Sequence, residues 1–238
     1  MLRPYLAFLN RNKYKLAIIG LLLGASIVSV FLVIARMAYS DSGQFSGLIW
    51  NLFLAWIPFV LAYIAYALSW RRIWLYITIP VFAFLWLIFF PNAPYILTDL
   101  QYLSRITPDA PLWYDIILLV WFSWTGMLLG LISLYMMHEI VQRNFGRWTG
   151  WLFVLIVSGL SSAGIYVGRF LRWNSWDILQ NPSELAMDVL GLVIDPSLRL
   201  LAFTMLFAVF FLFVYLTLYT FAHLFREQVE QTSPHRAA

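Results

Sequence analysis

Cysteine is absent from the chain, and histidine occurs only three times. Without a thiol there is no disulfide, cysteine nucleophile, thiolate zinc site or cysteine-ligated iron–sulfur cluster. Charge is scarce as well. Of 238 residues, 11% are Asp, Glu, Lys or Arg, against 63% hydrophobic and 19% aromatic, and the mean hydropathy is +0.81. Soluble domains are about a quarter charged, so a water-soluble globule is excluded.

What is present is a series of long apolar runs. Six stretches carry no charge: 16–35, 47–68, 73–90, 116–137, 148–168 and 200–222. At about 1.5 Å per residue each is long enough, or nearly so, to cross a hydrocarbon layer about 30 Å thick. The longest connection, 169–199, has 31 residues and leaves no room for a separate soluble domain. The expected fold is all-α, a single transmembrane domain of six helices over 1–238 with a short cytoplasmic tail at 225–238. The first run follows Arg11, Lys13 and Lys15 like a signal peptide, but its 20 residues exceed a usual signal core. An uncleaved first helix is expected.

Basic residues orient the spans. The N-terminal segment, second loop, fourth loop and tail hold ten Lys and Arg; the opposite side holds five, Arg36, Arg105, Arg169, Arg172 and Arg199. This asymmetry puts both termini in the cytoplasm. Eight of the eleven acids, among them Asp99, Asp109, Asp115, Asp177 and Asp188, fall on the outer side. The net charge of +4 is thus spread over span ends, which encodes topology and not nucleic-acid binding.

Within lipid each backbone amide needs an internal partner, so the spans are helices. Gly20/Gly24, Gly126/Gly130 and Gly164/Gly168 each offer a strip for close helix contact. Pro58 and Pro80 should kink their helices. Trp70, Trp74, Tyr76, Trp113, Trp148, Trp173 and Trp176 gather at span ends, where indole and phenol rings anchor in the headgroups.

Two outer connections break this pattern. The first is Pro91-Asn92-Ala93-Pro94-Tyr95-Ile96-Leu97-Thr98-Asp99-Leu100. Two prolines three apart stop the helix at the membrane edge, and Pro94 suits the first position of a new short helix. On that helix Tyr95 and Asp99, four apart, would share a face opposite Ile96, Leu100 and Leu103. A loop over 104–108 should follow. The second connection is Gly168-Arg169-Phe170-Leu171-Arg172-Trp173-Asn174-Ser175-Trp176-Asp177. If helix continues there, Arg169 and Arg172 share a face beside Trp173 and Trp176. Planar guanidinium forks suit a carboxylate or phosphate. Arg and Trp at a span end also serve as ordinary headgroup anchors. In a third arrangement Asp99 or Asp177 neutralises an Arg and only staples the loops together.

These two blocks resemble the signature segments of a bacterial multi-spanning membrane family, domain-of-unknown-function family 1361. The resemblance covers about 45–225 and implies a bacterial inner-membrane protein, with no activity attached. In that family a His often follows the Thr-Asp pair; here Tyr102 stands in that neighbourhood, against a metal-ligating loop.

Three classes of function follow. A binding protein would use Asn92, Tyr95, Thr98, Asp99, Arg169, Arg172, Trp173, Asn174 and Asp177 in one outer pocket for an anionic lipid-linked or envelope molecule. An accessory subunit would use the same Arg–Asp contacts to hold loops, with membrane lipids and other membrane-protein subunits as partners. An envelope enzyme would use Asp99 or Asp177 as acid or base. No cofactor or metal site is expected, and His138 and His223 are read as interfacial polar groups. A pump is disfavoured because the apolar runs carry no ionisable relay.

Overall fold

A computed structural model of the chain describes residues 2–69, 72–105 and 109–232; side chains are described for these except 2–12, 72–78, 105, 179 and 225–232. Trp70 and residues 106–108 of the expected loop lie outside the described residues, as do the side chains of Trp74 and Tyr76. The described residues form helices and no strand. Six of the helical segments are long and apolar enough to cross a membrane: Lys13–Ser40, Ser46–Leu68, Ile79–Ser104, Leu112–Phe145, Arg147–Leu171 and Leu198–Leu224. The charge-free runs sit inside these segments, except that the third begins later and extends through the proline segment.

The chain divides into two compact units, Met1–Ile140 and Val141–Ala238. In the first unit α1 (Leu2–Ser40), α2 (Ser46–Leu68), α3 (Arg72–Phe89) and α5 (Leu112–Phe145) are the long helices. Pro58 lies inside α2 and Pro80 inside α3, each within a continuous helix. Polar ties join the helices where hydrocarbon leaves no water to compete. The Trp121 indole donates to the Ala25 carbonyl at 3.0 Å, and Trp56 donates to Ser26 Oγ at 3.0 Å. Trp86, buried, donates to Ser133 Oγ at 3.3 Å.

Between α3 and α5 the chain turns through α4 (Asn92–Tyr95) and continues as a 3₁₀ helix, Ile96–Arg105. The glycine strip on α5 receives this turn. A Cβ on Gly126 would stand 2.7 Å from the Ala93 carbonyl oxygen, and one on Gly130 would stand 3.2 Å from the Ala93 Cβ. The small-residue strip therefore admits the backbone of the proline segment instead of a neighbouring membrane span. Gly20 and Gly24 differ from expectation: both are exposed, and a Cβ there meets no described atom within 4 Å.

The second unit pairs α6 (Arg147–Tyr166) with α9 (Leu198–Thr232). Gly146, at φ 94°, starts α6 in a conformation that favours glycine. Trp151 packs edge-on against Tyr215 and Tyr219, at 6.3 and 4.9 Å between ring centres. Two short helices, α7 (Asp177–Gln180) and α8 (Pro182–Ile194), link the pair. The helix of α9 runs on to Thr232, so the expected tail at 225–238 is helical over its first part; 233–238 lie outside the described residues.

Candidate functional site

The proline segment places its acid differently from the expected amphipathic helix. Pro94 is the third residue of α4, not its first, and from Ile96 the chain turns with three residues per turn. Residues three apart then stand in one row, so Asp99 lines up with Ile96 and Tyr102 instead of with Tyr95. That row faces inward. Ile96 is fully buried and Asp99 is 1% exposed. A buried carboxylate needs partners, and the Asn51 side-chain amide of α2 donates to Asp99 Oδ2 at 2.9 Å. Asn92 and Thr98 donate to local backbone, to the carbonyls of Phe89 at 2.9 Å and Tyr95 at 2.7 Å. These bonds close the helix end and the turn.

Beside this segment lies an ionic cluster that charge counting placed on one side of the membrane without pairing its members. Arg36, near the end of α1, is 2% exposed, and Asp115, in the first turn of α5, is fully buried. The guanidinium donates through Nε to Asp115 Oδ1 at 2.6 Å and through an Nη to Oδ2 at 3.2 Å, a bidentate fork. It also donates to Asp109 Oδ1 at 2.8 Å; that carboxylate is 32% exposed. The buried Phe45 ring, 5.6 Å from the guanidinium carbon, covers it, and Tyr102 packs edge-on against Phe45. The Tyr114 hydroxyl donates to the Leu32 carbonyl at 2.9 Å, a second tie between the same two helices. A buried guanidinium held by two carboxylates suits a clamp and not an anion receptor. The sequence signal for it was modest: Arg36 directly follows one apolar run, and Asp115 directly precedes another.

The arginine-bearing segment belongs to the second unit. After α6 the helix widens to a π turn, Val167–Leu171, and ends at Arg172 with φ 65°. The expected common helical face of Arg169 and Arg172 does not form, because the left-handed residue turns the chain out of the helix. Carboxylates then brace the turn. Asp177 Oδ2 accepts from the Asn174 backbone N–H at 2.7 Å and from its side-chain amide at 3.3 Å. The Trp173 indole donates to Asp188 Oδ2 of α8 at 2.8 Å. Arg199 of α9 lies over the Phe170 ring at 4.2 Å. Arg172 itself is exposed.

Chemically, the cluster in the first unit holds its cation between acids, and the turn in the second unit presents an exposed guanidinium. Among the described residues no group of three or more His, Asp or Glu is placed to hold a metal ion. His223 stacks on Tyr219 at 4.1 Å, and its Nδ1 lies 2.8 Å from the Tyr219 carbonyl oxygen.

Neither the curated proteins nor the solved structures include a match to this chain. One family model does match, over residues 50–218, a range that takes in both the proline-bearing and the arginine-bearing segments. The chain therefore belongs to the family described as protein of unknown function DUF1361.

Proposed function

We propose that this multi-pass membrane protein of a bacterial inner membrane binds an anionic lipid-linked or envelope molecule at its outer face, through the Arg172–Trp173 turn. The observation that carries this reading is the left-handed Arg172 at the end of a π turn. A non-glycine residue in that conformation costs on the order of 1 kcal/mol, and such strain and π turns collect at functional sites. Here the strain holds an exposed guanidinium out from the helix, next to an indole fixed by Asp188. An exposed Arg beside an oriented Trp can grip a phosphate or carboxylate while the ring lies against the lipid portion. The bonds made by Asp177 and Asp99 brace backbone and core, which favours binding over an acid–base role for either carboxylate. Orientation follows the excess of Lys and Arg on the opposite side.

The test separates recognition from stability. Arg172→Gly keeps the left-handed backbone without strain and removes the guanidinium. Retention of a polyprenyl phosphate through purification should fall at least tenfold while the unfolding midpoint holds or rises. Unchanged retention would refute the reading. A second reading, a structural subunit, is favoured by the Arg36 clamp; it is preferred if Arg172→Gly alters nothing and Arg36→Met alone disables the protein.

A further inference from the structure

Polar ties from α1 to α2 and α5 are made at Ala25, Ser26, Leu32 and Arg36. Toward its N-terminal end α1 has exposed Ile18, Leu21 and Leu23, and the space beside it opens into a cavity of about 380 Å³. Its walls come from three helices of the first unit: Ile18 and Ile19 of α1, Phe59 and Tyr63 of α2, and Ile132 and Met136 of α5. The deep wall is apolar, with Phe59 5% and Met136 9% exposed. Tyr63 and Tyr135, more open at 43% and 36%, bring phenol groups to the edge. One lining residue is charged: Lys15, exposed, at the start of the first span, near the level where α2 ends at Leu68. From Phe59 to Ala67 the cleft follows α2 for roughly 12 Å at 1.5 Å per residue.

We propose that this cleft holds one acyl chain of an anionic phospholipid, with the Lys15 ammonium and the tyrosine hydroxyls meeting its phosphate. The volume lies within the range of about 300–1,000 Å³ typical of small-molecule sites, and a mostly apolar wall with a few convergent polar groups is their usual chemistry. A lysine on a long apolar stem reaches the headgroup level without burying its charge. A cation with no carboxylate among the lining residues selects an anionic headgroup over a zwitterionic one. The site lies at the opposite end of α1 from Arg36 and does not depend on the Arg172 turn.

The experiment uses the full chain in nanodiscs and a phosphatidylglycerol whose acyl chain carries a photoactivatable diazirine, with the matching phosphatidylcholine as control. Cross-links should map to the segments around Ile18, Tyr63 and Met136, at least fivefold more from phosphatidylglycerol. Lys15→Glu should reduce that preference to parity, and Ala67→Trp, which fills the cleft, should cut labelling by both lipids. Unlabelled phosphatidylglycerol should displace the probe from the wild-type protein better than phosphatidylcholine, a comparison that needs no variant. Equal labelling and equal displacement by the two lipids, or cross-links confined to other segments, would overturn the proposal. Loss of polyprenyl phosphate retention in Arg172→Gly with these cross-links intact would show that the two sites are independent.

Discussion

Replacing Arg36 by methionine removes a guanidinium from between two carboxylates and leaves Asp115, fully buried, without its bidentate partner. Breaking a buried ion pair from one side costs about 3–5 kcal/mol, because the abandoned charge keeps its desolvation penalty. Asp109 is a third exposed and can turn toward water, so Asp109→Asn should cost less than about 1 kcal/mol. Removing both buried charges, as Arg36→Met with Asp115→Leu, should bring stability back to within about 1 kcal/mol of the parent, or above it. The measurement is a double-mutant cycle on the reconstituted protein, unfolded with a denaturing detergent in bicelles and followed by tryptophan fluorescence. A coupling of at least ~2 kcal/mol is expected between Arg36 and Asp115, little changed by salt because the pair is shielded from solvent. Additive single effects, or a coupling that collapses in high salt, would refute the assignment of this pair as the clamp joining α1 to α5.

Gly126→Ala places a methyl 2.7 Å from the Ala93 carbonyl oxygen and 2.8 Å from Ile96 Cδ1, and it should destabilise by ~1–3 kcal/mol. Gly24→Ala, open on every side, should be neutral or slightly stabilising in the same unfolding assay. Asp177→Leu removes the acceptor that closes the Asn174 turn, and limited proteolysis should then cut within 172–181 several times faster than in the parent. Arg172→Gly, by contrast, should leave the cleavage rate of that segment unchanged.

The charge-free runs alone determined that the chain is helical, with six segments long and apolar enough to cross a membrane, because hydropathy is a sum over neighbours in sequence and backbone satisfaction in lipid leaves one solution. The break at Pro91 and Pro94 was equally local, since a proline lacks the amide proton that a helix needs. Gly126 and Gly130 were legible as a contact strip, but their partner was not, because a missing side chain says nothing of what fills the space. Tertiary structure decided the rest. The row on which Asp99 lies depended on whether the turn has 3.0 or 3.6 residues, which only the folded chain fixed. Arg36 and Asp115 are 79 residues apart, and only the folded chain brings such charges to one depth. Arg169 and Arg172 were separated by a single residue's rotation into the left-handed region, which no residue type at that position foretells.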